Sequence, residues 1–169
     1  EDDLLKLGGL TETDLYSDVL DTTRARLPWL AVNLLTAIVA SIVIGLFEEA
    51  LAAIVALAVL MPIVASMGGN AGTQTLTVAV RALAMRDITA ANAKRIVGKE
   101  LIVGTINGLV FALVMGIVAW LWFDQAKIGL VIAAAMVINL MAAALSGIVI
   151  PLTLERMKVD PAIASTVFL

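Results

Sequence analysis

The chain has 169 residues and a net charge of −3, with 62% hydrophobic residues and a mean hydropathy of +1.05. A soluble domain of this length cannot bury so much apolar surface, so the composition is that of an integral membrane protein. Cysteine and histidine are absent. That excludes disulfides, thiolate or imidazole metal sites, and catalysis by His or Cys; a divalent ion would be held by oxygen, which favours hard ions such as Mg2+.

Residues 1–26 are polar and helix-prone. Leu4, Leu5 and Leu7 form a small apolar patch, Gly8-Gly9 interrupts it, and Thr11-Glu12-Thr13-Asp14 resembles a helix start. The pattern predicts a short helix, a turn, and an amphipathic helix from about Thr13 to Arg26 at the membrane surface; a solvated acidic linker is the competing reading. Residues 1–21 hold seven acids and one Lys. Glu1 is not an initiator and no signal peptide is visible, so an excised piece of a longer protein is expected.

Four uncharged runs follow: 27–47, 50–80, 101–123 and 128–154. Each exceeds the roughly 20 apolar residues that a helix needs to cross the hydrocarbon core. Arg24 and Arg26 precede the first run. Arg81, Arg86, Lys94, Arg95 and Lys99 lie between the second and third, and Arg156 and Lys158 follow the fourth. The opposite loops hold Glu48, Glu49, Asp124 and Lys127. The basic side is therefore read as cytoplasmic, with the N-terminus inside a multi-pass protein of the cell membrane. Trp29, Trp120 and Trp122 suit interfacial anchors. Asp160-Pro161 opens a further helix, with Asp as N-cap and Pro at the first helical position. The expected fold is an all-α polytopic bundle: a connecting amphipathic segment over 1–26, then a transmembrane domain over 27–169 with four complete spans and the start of a fifth from 161.

The second run carries an anomaly. Between Pro62 and Val78 it holds Ser66, Gly68, Gly69, Asn70, Gly72, Thr73, Gln74, Thr75 and Thr77. Polar groups in hydrocarbon are costly unless they face protein or water. Ser66, Asn70, Thr73 and Thr77 are spaced by 4, 3 and 4, which places them on one helical face, with Gly69 beside them. Such neutral oxygens suit the waters of a hydrated cation but do not strip Mg2+, so a carboxylate is needed from elsewhere. Packing is the competing reading. Gly68-x3-Gly72 and Gly104-x3-Gly108 are close-packing patterns, and Ser and Thr hydroxyls often bond their own helix. Asn107 and Asn139 read as interhelical hydrogen-bonding groups. Glu1, Asp2 and Asp3 with Asp160 are acids on the cytoplasmic side that could share a metal, although Asp160 is equally a plain N-cap. Glu48 and Glu49 are either a solvated loop or an outer attractor of cations.

Pro62-x5-Gly68-Gly69-Asn70-Ala71-Gly72-x-Gln74 resembles the hallmark of the MgtE family of magnesium channels. The likeness continues through Arg81-Ala82-Leu83-Ala84, Lys99-Glu100, Gly104, Asn107-Gly108 and Asp160-Pro161-Ala162. Glu1-Asp2 before the Leu7-Gly8-Gly9 turn resembles the family's connecting helix. The resemblance implies a homodimer in the lipid bilayer, with five membrane helices per subunit and a pore at the subunit interface lined by the second and fifth. It implies passage of hydrated Mg2+, with Mg2+ also acting as the regulatory ion that closes the path from the cytosol. Carried over by motif, Gly69, Thr73 and Thr77, beside Asn70, become pore-side candidates; Asp160, Glu1 and Asp2 become metal-binding candidates for closure. The family's cytosolic regulatory domains do not occur in these residues, so weakened gating is expected. The alternatives are a transporter of Mn2+, Co2+ or Ca2+, or a non-transporting membrane interaction subunit. No enzyme activity and no nucleic-acid partner are expected, since no acid pair lies within the spans.

Overall fold

The computed structural model describes residues 18–89 and 91–158. Glu1, Asp2, Asp160, the start of the expected surface helix and the expected fifth helix lie outside them. Every regular element among the described residues is helical: α1 (Val19–Gly45), α2 (Glu48–Ala53), α3 (Val55–Ala84), α4 (Ala93–Phe123) and α5 (Ala126–Arg156). Four of these, α1, α3, α4 and α5, are long and apolar enough to cross a membrane.

The helices overrun the charge-free segments. A helix of 31 residues, such as α4 or α5, is about 46 Å long, against about 30 Å of hydrocarbon. Charged residues with good helix propensity fill the overhang. Residues 19–26 are thus the first turns of α1 and run into the span without a break. The second run divides: its first residues complete α2, and Ile54 (φ −131°, ψ 80°) separates them from α3. Asp124, at φ 51°, closes α4 in the left-handed region that Asp tolerates, and α5 begins two residues later.

Two compact units are present, 49–149 and 18–48 with 150–158. In the first, Leu60 and Ala56 of α3, Ala119 of α4, and Ile128 and Ile132 of α5 form one buried cluster. Ala112, Met136 and Leu140 form a second. Small residues allow this packing, because association in lipid relies on close contact rather than on expelling water. A Cβ placed on Gly104 would lie 2.6 Å from the Ala144 methyl, and one on Gly108 would lie 3.0 Å from the Val137 backbone. A Cβ on Gly116 would lie 3.2 Å from that of Ala133. These pairings descend along α5 as they rise along α4, so the two helices are antiparallel. In the second unit, α1 buries none of its residues; its apolar side chains, Leu30, Leu34 and Ile38 among them, are exposed.

Candidate functional site

The polar stretch falls in the middle of α3 and separates into two faces. Gly68, Gly72, Leu76 and Ala79 are buried, whereas Ser66, Gly69, Asn70, Thr73 and Thr77 are exposed. The buried face packs on α5. A Cβ on Gly147 would meet the Gly72 carbonyl at 2.7 Å and the Thr75 side chain at 2.8 Å. The Asn139 amide donates through Nδ2 to the Val64 carbonyl at 2.6 Å and lies over Gly68. Asn139 is therefore an interhelical hydrogen-bonding group, as its sequence setting suggested.

On the exposed face, the Thr73 hydroxyl donates to the Gly69 carbonyl and the Thr77 hydroxyl to the Thr73 carbonyl, each at 2.8 Å. Both protons are tied back to the helix, so the hydroxyl lone pairs are left as acceptors. The Gly69 carbonyl already takes the helical N–H of residue 73. With the Thr73 hydroxyl added, both of its lone pairs are engaged, and it is not the free acceptor that a bare glycine suggests. A Cβ added at Gly69 would meet no atom within 4 Å. Ser66 and Asn70 have no side-chain hydrogen bond among the described residues. The candidates Gly69, Asn70, Thr73 and Thr77 thus share one face; Glu1, Asp2 and Asp160 lie outside the described residues.

A second polar site was not assembled from the sequence. The charge-free runs place no acid within the spans, but α4 starts at Ala93 and carries Glu100 beside α3. There Glu100 is half-buried, and its Oε2 accepts from the Thr75 hydroxyl at 3.4 Å. A cavity of about 170 Å³ opens alongside, lined by Gln74 and Thr75 of α3, Glu100 and Asn107 of α4, and apolar residues that include Leu140 and Ala144 of α5. It is polar and large enough for several waters. The signal was available: Glu100, Gly104 and Asn107 are spaced by 4 and 3, one helical face. Glu48 and Glu49 begin α2 and are exposed. Among the described residues no three acidic side chains cluster to hold an ion directly.

A family profile described as MgtE, divalent cation transporter, matches residues 61–169. The magnesium transporter MgtE of Bacillus subtilis is 38% identical over 83% of this chain and 31% of its own length. That of Enterococcus faecalis is 34% identical over 96% of this chain and 36% of its own length. That of Thermus thermophilus is 37% identical over 97% of this chain and 37% of its own length. The chain spans about a third of the length of these curated relatives. The profile match and the shared residues have one consequence: this chain belongs to the MgtE family of divalent cation transporters.

Proposed function

We propose that this chain is the membrane part of a Mg2+ transporter in which two copies face each other across a path for the hydrated ion. One observation carries the reading: Ser66, Gly69, Asn70, Thr73 and Thr77 form an exposed polar stripe in the middle of a membrane-length helix. Lipid is a poor cover for such a stripe, since polar groups in hydrocarbon require protein or water. A second copy of α3 with water between the two stripes satisfies both. The acceptor oxygens of Thr73 and Thr77 then receive hydrogen bonds from the ion's water shell, which Mg2+ gives up reluctantly. Glu100 supplies a negative charge at the level of Thr75, across α3 from the stripe. The relatives' names as magnesium transporters support the choice of ion.

In this reading the Lys- and Arg-bearing side is cytosolic, with the N-terminus inside. Asp160, with Glu1 and Asp2, forms the closure site at which cytosolic Mg2+ acts as regulator.

The test is Mg2+ uptake by the full-length protein in liposomes, with oligomeric state measured in the same preparation. Uptake above that of empty vesicles, in a dimer, is expected. A folded dimer that passes no Mg2+ overturns the reading, and stronger uptake of Mn2+, Co2+ or Ca2+ in competition reassigns the ion.

A further inference from the structure

We infer that Asn139 is a positioning residue for transport: its amide fixes the rotation of α3 through the bare backbone at Gly68, turning the Thr73 and Thr77 face away from α5. The inference deepens the transport reading above and rests on it. Asn139 Nδ2 donates to the Val64 carbonyl at 2.6 Å. A Cβ built on Gly68 would lie 2.5 Å, 2.6 Å and 2.8 Å from Nδ2, Oδ1 and Cγ of Asn139, its three nearest atoms. The amide therefore rests directly on the α3 backbone, and the absent side chain at position 68 is what admits it.

Successive residues of an α-helix are about 100° apart. Holding Gly68 against α5 places Gly69 and Thr73 on the exposed side; turning α3 by a single residue step would bring them against α5 instead. Close packing of Gly72 on Gly147 resists that turn, but the hydrophobic effect does not. The buried α3 residues near this contact are Leu60, Gly72, Leu76 and Ala79, and lipid is as apolar as they are, so no hydrophobic force favours one rotation. A directed hydrogen bond does. The backbone also needs a brace here. Pro62 lies inside α3 and removes the donor for the carbonyl at position 58. A second side-chain bond between α3 and a neighbouring helix, Thr75 to Glu100, is longer at 3.4 Å.

These 169 residues hold no cysteine, and any cysteine elsewhere in the full-length protein is replaced by Ser, so an introduced thiol is the single one. The test uses the full-length protein in liposomes with single cysteines at Asn70, Thr73, Thr77, Leu76 or Ala79, probed with a charged, water-soluble thiol reagent. With Asn139 intact, positions 70, 73 and 77 react and positions 76 and 79 are spared. Asn139→Leu keeps the approximate size but loses the donor; Asn139→Ala and Gly68→Ala remove the same contact. Each is expected to shift the equilibrium between the two rotations by about threefold, the shift that one interhelical hydrogen bond in a membrane carries, so that the contrast between the faces and the maximal Mg2+ uptake both fall, each by less than that factor. The Mg2+ concentration for half-maximal uptake stays in place, because the ion's contacts in the correctly turned fraction are unchanged. The Gly68→Ala/Asn139→Ala double variant is expected to be no worse than either single one, since all remove one contact. Asn139→Leu with native contrast and native uptake overturns the inference. So does failure of all three single variants to fold, which makes the contact purely structural. A native protein that shows the contrast but passes no Mg2+ overturns the transport reading while supporting the pin.

Discussion

The Thr75 hydroxyl donates to Oε2 of Glu100 at 3.4 Å, tying the polar stretch of α3 to a carboxylate on α4. The bond is long and Glu100 is half-buried, so the carboxylate keeps acceptor capacity toward the adjoining cavity. A unit charge acting on a dication about 12 Å away, the width of a helix, contributes about 0.7 kcal/mol at the dielectric constant of water, or about threefold in occupancy. Glu100→Gln preserves shape and the acceptor for Thr75 while removing the charge. The half-saturating Mg2+ concentration for uptake should rise about threefold with the maximal rate little changed, and the difference should shrink in high salt. An unchanged concentration dependence would remove Glu100 from the ion's route.

Gly69→Ala should separate stability from transport. The added methyl meets no atom within 4 Å beyond its chain neighbours and its own helical backbone, and Ala in a helix interior is favoured over Gly by about 1 kcal/mol. Thermal stability in detergent should therefore hold or rise slightly. If the Gly69 face lines a path between two copies, the two methyls narrow it and Mg2+ uptake falls. Equal uptake by the variant would place this face elsewhere.

The helices and the two faces of α3 were legible because a 3.6-residue period and the lack of charge speak locally. Gly68 and Gly72 read as packing residues from spacing alone, and both are buried. What was hidden depends on partners. The spacing that makes Thr73 a candidate for facing an ion also lets its hydroxyl reach the carbonyl four residues back; that competing reading was open from the sequence, and the bond forms. Glu100 was read as the boundary of a span, since a charge ends an apolar run; helix α4 does not end where apolarity does. Its meeting with Thr75 depends on how α3 and α4 pack, which neither helix's own sequence states. Ile54 shows the same limit, because an unbroken apolar run gave no sign of the turn that starts α3 there.

The glycines at α5 contacts should behave unlike Gly69. An added Cβ lies 2.6 Å from the Ala144 methyl at Gly104, 3.0 Å from the Val137 backbone at Gly108, and 2.7 Å from the Gly72 carbonyl at Gly147. Backbone atoms cannot move aside as a flexible side chain does. Gly108→Ala and Gly147→Ala should each cost about 1–3 kcal/mol, the usual range for overpacking, exceeding the propensity gain of about 1 kcal/mol. Melting temperatures of the folded protein in detergent would check this. Gly98→Ala, where a Cβ meets nothing within 4 Å, is the matched control.

Thr73 distinguishes a packing residue from one that meets hydrated ions. Its hydroxyl proton is already spent on the Gly69 carbonyl, and the residue is exposed. Thr73→Val keeps the shape and loses a local bond that a helix replaces easily, so its stability cost should stay below about 1 kcal/mol. It also removes the outward acceptor oxygen, so a water-shell contact is lost and Mg2+ uptake should fall. Thr73→Ser restores the oxygen without the methyl and should recover most of that uptake. Thr77, with the same back-bond to Thr73, should show the same order: native, then Ser, then Val. If Val and Ser variants at both positions carry Mg2+ equally well, the stripe's oxygens do not touch the ion's water, and its exposed face serves contact between copies instead.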